Sequence, residues 1–503
     1  MNDLSTFAGP SIDWLSISPV LALLAGALLL LLVGSLTGEW PKYWYSLTAV
    51  VTSIVAIGLS IGLWIDVSND GAKLLIGGSL TLDHFALLGS IAVYAAVLMV
   101  SLISSDYLSR HDSESPEIYA LYLTAAIGAV VMMSSNDLIV LFLGLETLSL
   151  SLYLLAASNR QQTASQEAGL KYFILGGFAS AFFLYGVALT YGVTGTTRLI
   201  DLNTALTSYI SVPRNDAILL IGIGMILVGF AFKVSLAPFQ MWTPDVYQGA
   251  PTPVTAFMAS VGKVAALVSL MRVVVVAFPS RSDDWGVVVL ALSALTLVVG
   301  SVVAIVQTNI KRMLAYSSIS HAGFILVGLE AASHRDSANA SDGLVAVGVY
   351  VVLYAALVVG TFGVVTVVAR DSSDSANSLD AFKGLAKNQP VLGLVMTVFL
   401  LAQAGMPLTS GFVAKFGVIQ SAVAVGSYQL AVIAMVCAVI AAFVYLRIMV
   451  SMWLADGAST ERVAVPMLSR VAIGLAVAFT LLIGFLPRLI LDLTANLAQL
   501  ATQ

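Results

Sequence analysis

From about residue 19 to residue 487 the chain keeps repeating one pattern, an apolar stretch followed by a short polar break. Each stretch runs roughly 17 to 25 residues, the length that carries a helix across the hydrocarbon core of a bilayer. Lipid offers a backbone no hydrogen-bond partner, so only helices and closed barrels can cross it, and these runs are too long and too continuously apolar for barrel strands. The expected fold is therefore an all-α polytopic membrane protein with about fourteen transmembrane helices. The expected spans are 19–37, 44–65, 81–104, 117–133, 137–157, 169–193, 216–237, 253–277, 285–306, 312–331, 343–369, 389–405, 427–453 and 466–487. Two shorter pieces, near 239–250 and 411–424, read as half-helices.

Hydrophobic residues make up 59% of the 503 and charged residues 10%, which leaves no stretch polar enough for a soluble nucleotide-using domain. No convincing strand precedes a glycine-rich loop, and GIGMILVG at 222–229 has the spacing of helix-packing glycines rather than of a phosphate loop. Cys437 is the single cysteine and lies within a span, and His84, His111, His321 and His334 stand on separate segments. Neither arrangement suits an iron–sulfur cluster or a zinc ion. A net charge of -5 spread over many loops points away from nucleic acid.

The first eighteen residues lack the basic region and short apolar core of a cleaved signal peptide, so insertion through the first span is expected. With both termini on the outer face, Lys42, Arg110, Arg160, Lys311, Arg312, Arg370, Lys383, Lys387, Arg462 and Arg470 fall inside, against Lys73, Arg198, Arg214, Arg281, Arg335 and Arg488 outside. That bias sets the expected orientation. The loops at 109–117 and 370–380 read as solvated connectors.

A charge at the bilayer centre costs about 2.5 to 3.5 kcal/mol on insertion scales, so buried ionisable residues are functional candidates. Six stand out: Glu146, Lys171, Lys233, Lys263, His321 and Lys415. Each also has a structural reading. Lys171 is near enough to the start of its span to snorkel, His321 could be a neutral histidine bonded across helices, and Glu146 and Lys233 could simply neutralise each other. Arg272 and Arg447, closer to span ends, read as structural. Taken together, four lysines, a glutamate and a histidine in one bundle look like a path. Lysine suits a proton path because burial disfavours its charged form while a nearby carboxylate restores it.

Two of these lysines adjoin broken helices. Pro238 follows Lys233 by five residues, and Pro407 precedes Lys415 by eight. Backbone freed at membrane depth is tolerated only when buried in protein or lining a wet cavity, and paired interruptions point to an ion site between repeats. Counting spans gives two inverted five-helix units, 117–277 and 285–453, with a three-helix segment in 1–116 before them and one helix in 454–503 after.

The run FKVSLAPFQMWTPDVYQGAPTPVTAFMASVGK at 232–263 resembles the most characteristic segment of subunit N of bacterial proton-pumping NADH:quinone oxidoreductase, the respiratory complex I. LGLETLSLSLYLL at 143–155, EAGLKYFILGGFAS at 167–180, NIKRMLAYSSISHAGF at 309–324 and AGMPLTSGFVAKF at 404–416 extend the resemblance over about 117–453. WTPDVYQGAP and Lys415 favour subunit N over its antiporter-like sisters. The resemblance implies that Glu146 pairs with Lys233, that Lys263 and His321 continue a hydrated axis, that Lys415 leads to an exit, and that Lys171 modulates Lys233. It also implies a non-redox translocase subunit of the inner (plasma) membrane with no cofactor of its own. Flavin, iron–sulfur clusters and quinone would belong to partner subunits, and its neighbours would be antiporter-like and small membrane subunits together with lipid. The alternatives are a subunit of a cation/proton antiporter, which shares this fold, and a structural membrane module whose buried charges hold partners together.

Overall fold

The computed structural model describes residues 12–37, 40–41, 43–111, 113–208, 213–369, 376–456 and 464–498. Among them, thirteen helices are long and apolar enough to cross a membrane. The first six are α1 (Ser18–Leu36), α2 (Tyr43–Asp70), α3 (His84–Arg110), α4 (Pro116–Ser134), α5 (Leu138–Ala156) and α6 (Thr163–Thr194). After the short α7 (Leu199–Ser208) comes a discontinuous crossing made of α8 (Pro213–Val234) and α9 (Trp242–Gly249). Then follow α10 (Thr252–Ala277), α11 (Ser282–Ile305), α12 (Ile310–Ala331) and α13 (Ala340–Val368). A second discontinuous crossing joins α14 (Pro390–Ala404) to α15 (Ser410–Ala424), ahead of α16 (Tyr428–Trp453), α17 (Met467–Phe485) and α18 (Arg488–Thr494).

The twelfth expected span, 389–405, thus appears as the 15-residue α14, too short to cross alone and completed by α15. The half-helices expected near 239–250 and 411–424 are α9 and α15. One expectation is corrected. A short antiparallel hairpin, β1 (Lys73–Leu75) with β2 (Leu80–Leu82), caps the bundle where no strand was foreseen. Three-residue strands leave too little alternation to register in the sequence. Of the charges used for orientation, Lys42, Arg370 and Arg462 lie outside the described residues, as do the side chain of Arg214, most of the 370–380 loop and both chain ends.

Helix starts follow local chemistry. Asp83, Asp137 and Asn309 cap α3, α5 and α12, accepting from the amides of Ala86 (2.8 Å), Ile139 (2.8 Å) and Lys311 (3.0 Å). Prolines open α4 and α14, where no amide is needed. Close helix contacts are made at glycines: a Cβ on Gly128 of α4 would sit 2.5 Å from the Leu148 amide of α5, and one on Gly343 of α13 would sit 2.4 Å from the Gly328 carbonyl of α12.

Burial sorts the helices into two layers. In α10 and α12, 94% of the central window is buried, against 28% in α1, α2 and α6, whose exposed faces carry large apolar residues such as Leu28, Ile54 and Phe178. The polar candidates on α10 and α12 therefore sit at the axis, not against lipid. α10 reaches its position with two π-helical turns, Met258–Gly262 and Val273–Ala277.

One local arrangement occurs twice. Beside Asp137, Leu138 N donates to Thr197 O (2.9 Å) and Leu199 N to Asn136 O (2.8 Å). Beside Asn309, Ile310 N donates to Asn377 O (2.8 Å) and Leu379 N to Thr308 O (2.8 Å). Both corners form an isolated β-bridge, Asp137 with Arg198 and Asn309 with Ser378. The first lies at the hairpin end, where Asn136 Nδ2 donates to Gly78 O (2.9 Å). Five crossings separate the two corners, so the second lies at the opposite end.

Away from the axis, Arg272 and Asp83 form a buried bidentate pair at 2.8 Å for both contacts, and Arg272 Nε donates to Met133 O (2.8 Å). Arg272 is structural, as expected, but locked inside the bundle rather than snorkelling. Substituting Arg272 with Met strands a buried carboxylate and is expected to cost about 3 to 5 kcal/mol, whereas Asp83→Leu with Arg272→Met recovers most of the loss. Thermal unfolding of the detergent-extracted variants checks this. Gly411→Ala would set a Cβ 1.7 Å from Ala402 O, where α15 abuts α14, and is expected to abolish accumulation of folded protein, read by immunoblotting of membranes.

Candidate functional site: a buried row of titratable side chains

α8 stops at Val234 because Ser235 takes a left-handed conformation (φ 70°). The break thus begins three residues before Pro238, whose peptide bond with Ala237 is cis. Backbone freed here is recaptured by protein. Ala237 N donates to Thr296 Oγ1 (3.0 Å), Leu236 N to Ala231 O (2.8 Å), and Trp242 Nε1 to Phe232 O (3.0 Å). The second break begins at Gly405 (φ 88°), ahead of Pro407, with Leu408 also left-handed (φ 66°) and Met406 N donating to Leu401 O (3.0 Å).

Each break holds a lysine at the C-terminal end of a half-helix, where the helix dipole favours a cation. Lys233 lies in the last turn of α8, is 5% exposed, and donates to Ser149 Oγ of α5 (2.7 Å) and Tyr172 OH of α6 (3.3 Å). Lys415 reaches back from α15 to the last carbonyl of α14, Ala404 O (3.1 Å), and lies over the Phe324 ring at 4.7 Å.

Glu146 is where the direct contact expected from the resemblance fails. Its Oε1 accepts from Ser180 of α6, and no ion pair joins it to Lys233 among the described residues. A cavity with room for about one water, lined by Ser149, Tyr153, Ser180 and Lys233, lies between the two regions.

At the axis the remaining groups bond to backbone carbonyls and hydroxyls. Lys263, fully enclosed in α10, donates to Ser318 O of α12 (2.7 Å), and Ser318 Oγ lies 2.6 Å from Tyr354 OH of α13. His321 Nδ1 is 2.7 Å from Tyr350 OH, and Nε2 is 3.4 Å from Tyr445 OH of α16. From Tyr445 the network passes to Ser317 Oγ (2.5 Å), Gln403 Oε1 (3.1 Å) and Thr361 Oγ1 (2.5 Å). Gln403 is the residue before Ala404, so the network ends one residue from the carbonyl that Lys415 grips. The structure therefore places Lys263 with Ser318 and Tyr354 in one hydrogen-bonded group and His321 in a second, with the Tyr354 and His321 rings packed 5.2 Å apart, Lys415 just beyond Gln403 of the second group, and Lys233 with its hydroxyl partners at the neighbouring break.

Lys171 stands apart. It pairs with Glu167 (2.7 Å) and Asp245 (3.0 Å), is 42% exposed, and does not touch Lys233; the following residue, Tyr172, does. Asp245 of α9 also accepts from Arg312 (2.6 Å), and Lys311 donates to Gln248 O (2.9 Å) and Ala250 O (2.6 Å) at the end of α9. These charges gather near the end of the bundle opposite the hairpin. Arg447 caps α11 instead, donating to Ile305 O (2.7 Å) and Gln307 O (3.0 Å).

Sequence reasoning missed Ser149, Tyr172, Ser317, Ser318, Tyr350, Tyr354, Gln403 and Tyr445. Serines and tyrosines are ordinary in membrane helices, and only helix assembly shows which face the axis. Among the described residues no group of three or more His, Cys, Asp or Glu could hold a metal ion.

Comparison with known proteins adds to this geometry. Residues 135–441 match the family model of the NADH:quinone oxidoreductase/Mrp antiporter transmembrane region. NADH-quinone oxidoreductase subunit N 1 of Herpetosiphon aurantiacus is 38% identical, covering 99% of each chain. NADH-quinone oxidoreductase subunit N of Mycobacterium tuberculosis is 44% identical, covering 78% of this chain and 73% of that one. A chain of respiratory complex I from Thermus thermophilus, solved with bound aureothin, superposes with a TM-score of 0.78 at 31% identity, covering 94% of this chain and 98% of that one. With a bundle split by two broken helices and near full-length identity to named relatives, the chain belongs to the NADH-quinone oxidoreductase subunit N family, the antiporter-like membrane subunits of respiratory complex I.

Proposed function

We propose that this subunit carries protons across the inner (plasma) membrane along Lys233, Lys263, His321 and Lys415, driven by quinone reduction in partner subunits. The observation that carries the reading is the succession of buried lysines and a histidine, each held by hydroxyls or carbonyls, lying between two helix breaks. Buried lysines held by neutral oxygens can lose a proton without stranding a carboxylate, and hydroxyls both donate and accept, so they can pass a proton on.

The two breaks supply the ends. α9 runs from the first break toward the end opposite the hairpin, and α15 runs from the second toward the hairpin end. With both termini outside, the first faces the inner side, where Lys233 takes up a proton, and the second faces the outer side, where Lys415 gives one up. Glu146 acts on Lys233 through its charge across the small cavity, and a change in that charge or distance sets when Lys233 releases its proton. Lys171, with Asp245 and Arg312, steadies the uptake side rather than relaying charge. The repeated corners at Asp137 and Asn309, at opposite ends of the bundle, support two inverted five-helix units over 117–277 and 285–453. Flavin, iron–sulfur clusters and the quinone pocket belong to partner subunits, and other antiporter-like and small membrane subunits flank this one.

In the assembled complex, Lys233→Ala and Glu146→Ala are expected to lower the ratio of protons translocated to electrons transferred. An unchanged ratio in either assembled variant would refute that residue's assignment. The family model also covers Mrp antiporters, so a cation/proton exchanger is the second reading. The tagged protein, gently extracted and run on a native gel, is expected to migrate with flavin and iron–sulfur subunits in equal amounts by mass spectrometry. Migration alone or only with other antiporter-like chains, together with sodium- or potassium-stimulated proton exchange in liposomes, would favour the exchanger.

A further inference from the structure

Three carboxylates are buried among the described residues, and two are fully engaged. Asp83 holds Arg272, and Glu114 accepts from Ser105, Ser109 and Tyr119. The third is Glu330, the last residue but one of α12 and 2% exposed. Its Oε1 lies 3.0 Å from Ser427 Oγ and 3.0 Å from His334 Nε2, while its Oε2 is buried with no hydrogen-bond partner among the described residues. An ionised oxygen buried without a partner is costly, and a proton placed on it removes much of that cost. His334 is 42% exposed, so one contact links the buried carboxyl to the surface.

The position of the pair matters as much as its chemistry. α12 carries His321 nine residues before Glu330, and α15 carries Lys415; both helices end at this cluster. Ser427 follows α15, and Asn339 Nδ2 donates to Ala424 O at its end (3.4 Å). Phe324, beneath the Lys415 ammonium, lies six residues before Glu330, about 9 Å along the helix. Val418 of α15 packs at Gly328 between them, so the intervening stretch is apolar.

We propose that Glu330 and His334 form the proton-release site of this subunit at the hairpin end. The inference rests on the reading of Lys415 as the end of the buried row. Lys415 gives up one proton and becomes neutral, and the Glu330 carboxylate takes it. The Glu330 hydroxyl then passes it to Nε2 of the Nδ1–H tautomer of His334, the imidazolium sheds its Nδ1 proton to water, and proton exchange with water at the exposed ring restores the Nδ1–H tautomer for the next transfer. One proton moves outward, and no bond between heavy atoms changes. Histidine suits the last step because its unperturbed pKa lies in the physiological range. The apolar stretch beside Val418 confines the transfer to moments when water bridges it, which opposes return from the surface.

The test compares Glu330→Gln, His334→Ala and Lys415→Ala in the assembled complex reconstituted into liposomes. All three are expected to lower the proton-to-electron ratio, and imidazole supplied on the release side is expected to restore it in His334→Ala only. A wild-type ratio in assembled Glu330→Gln or in His334→Ala overturns the release site. Should Glu330→Gln not assemble, His334→Ala decides alone, because trimming a half-exposed side chain leaves the core intact. A lowered ratio in His334→Ala without imidazole rescue makes His334 a structural support and overturns its role. A wild-type ratio in Lys415→Ala overturns the underlying reading itself, and a defect in Lys415→Ala alone overturns only the release site.

Discussion

A bilayer offers nothing to a backbone amide or carbonyl that has lost its helical partner, and this architecture turns on how that constraint is met at two points. Residues 235–241 and 405–409 interrupt helices at membrane depth, and each interruption is closed by protein groups: Thr296, Phe232 and Ala231 at one, Leu401 and Lys415 at the other. Burial of both breaks requires that other helices surround them. The least buried helices are accordingly α1, α2 and α6, and the most enclosed helices, α10 and α12, run through the middle.

The interior of the bundle holds charge in two different ways. Arg272 and Asp83 meet in a bidentate pair that satisfies both ions and fixes α10 to the start of α3. Lys233, Lys263 and Lys415 instead donate to hydroxyls and carbonyls, and none forms an ion pair among the described residues. A paired charge is difficult to move, since removing either partner strands the other. A lysine held by neutral oxygens can exist with or without its extra proton. The same bundle thus contains one charge held by an opposite charge and three held by neutral oxygens, and the difference lies in the acceptor rather than in the depth.

Much of this was legible in the sequence. Long apolar runs fixed the number of crossings, and prolines beside lysines located both broken helices, although the breaks open at Ser235 and Gly405, ahead of the prolines. Glu146, Lys233, Lys263, His321 and Lys415 stood out because a charge in an apolar run has few innocent explanations. What stayed hidden has a common cause. Tyr172, Tyr350, Tyr354 and Tyr445 differ from other membrane tyrosines only by the face they turn inward, and that face depends on neighbours far away in the chain. For Lys171 the sequence left snorkelling open as an alternative, and Asp245, the partner that holds its ammonium, lies 74 residues later. Glu330, near the end of its span, attracted no notice because only folding buries it.

The π-helical turn at Met258–Gly262 has a consequence for angular phase. A single π turn accommodates one residue more than an α turn, and each residue advances the helix by about 100°. Everything beyond it on α10 inherits that rotation. Lys263 faces Ser318 on one side and Arg272, nine residues on, faces Asp83 on the other, so both bearings are set by the same inserted residue. Loss of one residue from this turn, with no change in hydrophobicity or length that a bilayer would notice, would rotate the Lys263 ammonium and the Arg272 guanidinium off their partners together.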